Sequence, residues 1–303
     1  MQWKHAMKQA IDSFLYYIRY ELNYSVHTVL SYGKDLSQFA DFADKRGCGD
    51  PRGVTVADVR SWVYDLTERR RLSARTVRRK VQSLRAFYRF LEKRGEVGAS
   101  PVADVPMAKV AQVLPSFVRE KGLDEVLDAP FDRGNFRETR NRLIVAMLYE
   151  TGIRRAELIS LKDADVDLGR RELKVHGKRN KDRIVPFCEE LGELIALYRP
   201  LRGAVAEAET FFVTEKGAPL YGKLVYDVVC NALSGVTSGK RSPHTLRHSY
   251  ASAMLNHGAG INSVKELLGH ESLAATQIYT HITYSELKQN YKQAHPRALK
   301  KGG

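Results

Sequence analysis

The stretch from Gly95 to Pro115 constrains this chain more than any other: it carries Gly95, Gly98, Ser100-Pro101, Pro106 and Pro115 and so can hold little regular helix. Helical periodicity resumes on both sides of it. The chain therefore divides into an N-terminal domain, 1–100, a linker, 101–116, and a second domain, 117–303. A length of 303 residues also favours two domains over one, and with 43% hydrophobic and 28% charged residues each can bury a core without covalent staples. No apolar run approaches the roughly 18 residues of a membrane span, and Met1-Gln2-Trp3-Lys4-His5 leads into a charged amphipathic segment, not a signal peptide. A soluble, cytoplasmic protein with no membrane partner is expected. Cys48, Cys188 and Cys230 lie far apart with no C-x-x-C spacing, which predicts reduced thiols and neither a disulfide framework nor a zinc ribbon.

Charge singles out one segment. The 49 Lys and Arg exceed the 35 Asp and Glu by 14, and residues 1–105 hold 19 bases against 12 acids. Within that part, eleven bases and a single acid, Glu92, lie between Arg69 and Arg94. The apolar residues Val77, Val81, Leu84, Tyr88 and Leu91 recur at helical spacing and form one stripe; Arg75, Arg78, Arg85, Arg89 and Lys93 fall on another face. A merely solvated face mixes signs. This one nearly lacks acids, which suits phosphate contact, and with Arg79 these five residues are the candidate nucleic-acid ligands.

Three further helices are expected in the first domain, at about 5–22, 26–45 and 56–70. The second domain reads as mostly α with a small sheet. A helix pair spans Arg137 to Leu161, broken at Gly152; strands Glu172–His176 and Arg183–Pro186 flank a hairpin loop; helices follow at about 188–198, 222–234, 243–257, 262–268, 272–280 and 284–293. Ser242-Pro243 is a helix start, and His244 and Arg247 share its first turn, where an anion would meet an imidazole, a guanidinium and the positive end of a helix dipole. His244 and His248 have the spacing of a helical zinc pair, but Thr245 stands where the general base of that motif would be, so no metal site is expected.

Five ordered motifs, Thr151-Gly152-Ile153-Arg154-Arg155-Ala156-Glu157-Leu158, Gly177-Lys178-Arg179-Asn180-Lys181, His244-Thr245-Leu246-Arg247-His248, Leu267-Leu268-Gly269-His270 and Thr276-Gln277-Ile278-Tyr279-Thr280-His281, carry a resemblance. The chain resembles the site-specific tyrosine recombinases, most closely the bacterial Xer type, almost end to end. The resemblance implies a mainly α protein: a helical, SAM-like core-binding domain followed by an α+β catalytic domain with a small antiparallel sheet. It implies DNA cutting and rejoining through a 3′-phosphotyrosine without metal, ATP or other cofactor. Arg154 and Arg247 would then clamp the phosphate, Lys178 would be the hairpin-borne acid, His244 and His270 the supporting imidazoles, and Tyr279 the nucleophile, with Glu157 bracing the arginine turn. The implied partners are double-stranded DNA, a homo- or hetero-tetramer with a related recombinase on two sites, and a DNA translocase as activator. The C-terminal helix, about Ser285–Gln293, would pack into a neighbouring protomer through Leu287 and Tyr291. Chromosome dimer resolution is the implied role, with a mobile-element integrase or a type IB topoisomerase as the alternatives.

Overall fold

The computed structural model describes residues 3–106, 117–177, 182–205, 208–269 and 284–299, and the chain separates into two compact units, Met1–Val113 and Leu114–Gly303.

The first unit is helical. Its elements are α1 (Trp3–Tyr16), α2 (Val26–Asp44), α3 (Val56–Tyr64) and α4 (Ala74–Lys93). α1 and α3 each run on into one wide π turn, Tyr17–Glu21 and Asp65–Arg69, so the helical stretches end near the expected 22 and 70. The chain then reverses through a left-handed residue, Asn23 or Arg71, and restarts on a serine cap: Ser25 accepts from Thr28 N–H and Ser73 from Thr76 N–H. The two helix pairs are thus joined by the same kind of corner. Their apolar stripes converge on Phe14, Leu36, Phe39, Trp62, Leu66, Leu84 and Phe87, with Phe39 edge-on to Trp62 at 5.0 Å.

Three members of the basic run are engaged within this unit, Arg79 with 47% of its side chain still exposed. Lys80 is buried, its Nζ 2.9 Å from Asp35 Oδ1 and 2.5 Å from Gln38 Oε1, and Ser83 Oγ donates to Asp35 Oδ2 at 3.1 Å. Arg79 pairs with the same carboxylate. Arg85, expected on the phosphate-facing ridge, is half-buried and donates to the Val102 and Val105 carbonyls at 3.3 and 3.2 Å. Helical spacing gives the angle of a residue, but a neighbour that comes from elsewhere in the chain decides whether that angle faces water. Arg75, Arg78, Arg89 and Lys93 are exposed.

The second unit is built around α6 (Phe136–Thr151), whose residues Leu143 to Thr151 are all buried, the pattern of a helix enclosed on every side. Packed on it are α5 (Glu120–Asp128), α7 (Arg155–Ser160), α8 (Glu189–Gly203), α9 (Gly222–Ala232) and α10 (Pro243–Asn256). α11 (Ile261–Leu268) and α12 (Tyr284–Ala294) lie against α10 and the sheet, and α13 (Pro296–Leu299) closes the described chain. The sheet is antiparallel, β1 (Val166–Asp167), β2 (Glu172–His176) and β3 (Asp182–Pro186), with His176 opposite Asp182 at the loop end.

Four details depart from expectation. α5 was not expected, although Leu123, Val126 and Leu127 have helical spacing; β1 is too short for alternation to reveal. α8 continues through Pro200 to Gly203: the proline has no N–H to bond back into the helix, but its own carbonyl still accepts from Ala204 at 3.2 Å. Finally, Leu287 and Tyr291 are not free to anchor a neighbour: both are buried in this unit's own core, since α12 packs against α10, α11 and β3 of the same chain. The expected helix at 272–280 lies outside the described residues. All three cysteines are free thiols, and no helix among the described residues is long and apolar enough to cross a membrane.

Candidate active site

Two helices that end on glycine create the site. α6 stops at Gly152 with φ +60° and α11 at Gly269 with φ +63°, the left-handed conformation that a side chain disfavours. The ends meet closely: a Cβ on Gly152 would stand 2.8 Å from Leu268 Cδ2 and 2.5 Å from Tyr250 Cδ1. A helix end leaves its last carbonyls unpaired and partly negative, so donors must be brought to it. Here arginines supply them. Arg183 Nε donates to Leu267 O at 2.8 Å, Arg247 Nη2 to Leu268 O at 2.6 Å and Arg154 Nη2 to Gly269 O at 2.7 Å. Arg247 Nη1 also reaches Gly152 O, at 2.5 Å.

Glu157 holds the corner together. Its carboxylate accepts the Arg154 N–H and Nη1, each at 2.7 Å, and both Nη groups of Arg183, at 3.0 and 2.8 Å. Burial pushes its pKa up, but the bonds from Arg183 and Arg154 outweigh burial and hold it below the ordinary carboxylate value. Burial, and then repulsion from Arg154, lowers Arg247 to about 10, so it remains protonated at neutral pH. Three guanidiniums therefore face one carboxylate. That imbalance leaves net positive charge for an incoming anion, and Arg154, with 40% of its side chain exposed, is placed to meet one. Arg155 turns away to the Gly222 carbonyl of α9, at 3.3 Å.

His244 sits one turn before His248 on α10, behind the Ser242 cap and Pro243, and the two rings stack at 5.7 Å. Its ring reaches solvent, yet packing around it and then the charges of His248 and Arg247 lower its pKa, which favours the neutral imidazole, the form that can accept a proton. On the sheet, His176 bridges Asp182 at 2.8 Å and Asp165 at 3.1 Å, and those carboxylates, Asp182 first, raise its pKa. This bridge ties the adjoining ends of β2 and β3 together.

The structure thus brings Arg154, Arg247 and His244 into one neighbourhood: Arg154 and Arg247 both lower the His244 pKa. Lys178, His270 and Tyr279 lie outside the described residues. The sequence places Arg183 only at the start of a strand, and its place at the helix end was missed. Its spacing gave no sign, because the carbonyl it meets comes from a helix far along the chain. Among the described residues no cluster of three or more His, Cys, Asp or Glu could hold a metal ion. In the first unit, Arg75, Arg78, Arg89 and Lys93 remain outward and without an ion-pair partner among the described residues, whereas Arg79 and Arg85 are engaged as described above.

Comparison with known proteins agrees with this layout. Residues 116–286 match the description "Phage integrase family", and residues 11–95 match "Phage integrase, N-terminal SAM-like domain". The chain is 36% identical over 318 residues to a tyrosine recombinase XerC of Chlorobaculum tepidum, covering 95% of this chain and 94% of that one. It is 39% identical to the tyrosine recombinase XerC of Lactobacillus leichmannii, covering 94% and 98%. Among solved structures, the XerH site-specific recombinase bound to its palindromic difH substrate shares the fold with a TM-score of 0.69 at 19% identity, covering 92% of this chain and 80% of that one. The Tn1549 transposon integrase in complex with circular intermediate DNA does so with a TM-score of 0.65 at 18% identity, covering 92% and 98%.

Proposed function

The chain belongs to the phage integrase family of tyrosine recombinases, enzymes that cut and rejoin DNA, and on that premise we propose how its residues divide the work. One observation carries the assignment: Arg154 and Arg247, far apart in the second unit's sequence, converge on the Gly152 and Gly269 helix ends, with His244 one turn before Arg247 on α10. Two planar guanidiniums can follow the charge that builds on the non-bridging oxygens of a five-coordinate phosphorus. The bonds of Arg154 to Glu157, and of both arginines to backbone carbonyls, hold them in place before DNA arrives, so little reorganisation remains for the transition state.

Tyr279 Oη forms a bond to phosphorus as the bond to the 5′ oxygen breaks. The phenol has a reference pKa of about 10, so its proton needs an acceptor, and His244 takes it. Lys178 gives a proton to the departing 5′ oxygen, and His270 donates a hydrogen bond to the phosphate. The product is a 3′-phosphotyrosine and a free 5′ hydroxyl. A 5′ hydroxyl from a second duplex reverses each step, so the phosphodiester energy is conserved in the covalent intermediate and no external energy source is consumed.

Double-stranded DNA is the substrate, with Arg75, Arg78, Arg89 and Lys93 of α4 set against its phosphates. The domains are assigned as 1–100 for core binding and 117–303 for catalysis, joined by 101–116, with four protomers acting on two sites, as a homo- or hetero-tetramer. The tyrosine recombinase XerC relatives support an Xer-type role over integration of a mobile element, and on that reading the chain resolves chromosome dimers in the cytoplasm with a DNA translocase as activator. The test is a nicked suicide duplex. Wild-type protein forms a covalent adduct with it, and Tyr279→Phe binds the duplex but forms none; an adduct that persists in Tyr279→Phe removes the assignment.

A further inference from the structure

Arg183 takes no chemical step in the scheme above, yet its side chain joins the parts that must act together. It lies on β3, opposite Val175 in the register, five residues after Lys178 in the chain. From there its Nε bonds Leu267 O at 2.8 Å, while its two Nη groups bond the two oxygens of Glu157 at 3.0 and 2.8 Å. The side chain is only 13% exposed, and a Cβ on Gly269 would stand 3.2 Å from Arg183 Nη1. One planar group therefore ties the root of the hairpin to the carboxylate that holds Arg154 and to the helix end that precedes His270. An ammonium would replace it poorly, because its three donors radiate from one nitrogen and cannot match both carboxylate oxygens in parallel while also reaching the carbonyl.

We propose that Arg183 is a positioning residue: it sets the hairpin that carries Lys178 against the Arg154–Glu157 corner, so that the lysine reaches the departing 5′ oxygen. This rests on the reading of the site given above. It separates Arg183 from residues that merely support the fold, because only a misplaced acid is bypassed when the leaving group needs no proton. Sulfur in place of the bridging 5′ oxygen provides that case, since a thiol has a pKa of about 8.5 where a water-like hydroxyl has one near 15. The P–S bond then breaks to release a thiolate without a proton from Lys178.

The experiment measures covalent adduct formation on suicide duplexes with oxygen or sulfur at the bridging position, for wild type, Arg183→Gln, Arg183→Lys and Lys178→Ala, with thermal melts of each. On the oxygen substrate Arg183→Gln should lose about 100-fold in rate, and on sulfur it should return to within about tenfold of wild type, in parallel with Lys178→Ala. Arg183→Lys should lose less and recover in the same way, and it carries the test if the glutamine variant does not fold. An equal loss on both substrates overturns the proposal, as does a loss below about threefold on oxygen. If Lys178→Ala itself fails to recover on sulfur, or Tyr279→Phe forms an adduct, the underlying site assignment has failed, and the proposal with it.

Discussion

Replacing Gly152 with alanine probes the corner most directly. Two costs add. At φ +60° a residue with a Cβ pays about 1–2 kcal/mol for the left-handed conformation. The new methyl would also lie 2.5 and 2.9 Å from two ring carbons of Tyr250 and 2.8 Å from Leu268 Cδ2, well inside the contact distance of about 3.5–4.0 Å between carbons. Tyr250 is fully buried, so the crowding must be absorbed within the core, at about 1–3 kcal/mol for an overpacked core site. Gly258 supplies the control: its φ is +86° but nothing lies within 4 Å of its Cβ position, so Gly258→Ala pays the first cost alone. Urea unfolding should therefore show Gly152→Ala less stable than Gly258→Ala by about 1–3 kcal/mol. Because Gly152 O accepts from Arg247 at 2.5 Å, the shift also moves the guanidinium. A displacement near 1 Å costs about 100-fold in rate, so adduct formation by Gly152→Ala should fall at least that far while Gly258→Ala stays near wild type. Equal stabilities for the two variants, or unimpaired cleavage by Gly152→Ala, would refute the argument that crowding at this corner sets the arginine.

The α4 ridge and the buried acid of α6 give two further tests. Each phosphate contact adds about 0.9 to the slope of log affinity against log salt, so Arg78→Gln should lower that slope by about 1, whereas Arg85→Gln, whose guanidinium is spent on the Val102 and Val105 carbonyls, should leave it unchanged. Equal reductions for both would show that the burial of Arg85 does not hold on DNA. Burial raises Glu150 to about 7, against the opposing Cys188 hydrogen bond and the charge of Arg297, and burial lowers His295 to about 3. The raised carboxyl contributes stability that is full below its unfolded value of 4.5 and is lost as pH climbs through about 7; the depressed imidazole contributes stability that is present above 6.5 and is lost as pH falls toward 3. Between pH 5 and 6.5 the two slopes oppose, so the wild type should be nearly level. In Glu150→Gln only the histidine slope remains, and unfolding free energy should drop by about 2 kcal/mol from pH 6.5 to pH 5. A parallel profile for the two proteins would contradict the placement of Glu150.

Much of this protein is local in origin and so is written in its sequence. The glycine and proline stretch after Gly95 and the Ser242-Pro243 start of α10 depend on neighbours within a few residues, as do the stripe of α4 and the β2–β3 hairpin, and each was readable from spacing alone. The order of the motifs likewise pointed to Arg154, His244 and Arg247. What the sequence could not decide is which charges face water and which are spent inside. Asp35 claims Lys80 and Arg79, and two distant carbonyls claim Arg85. The core of its own unit claims Leu287 and Tyr291, and the end of α11 claims Arg183. Periodicity assigns a side chain an angle around its helix or a side of its strand, and only tertiary packing brings up the partner that meets it there. Unpaired carbonyls at a helix end draw donors from wherever the fold delivers them, and for this chain the fold delivers three arginines from three separate elements to one place.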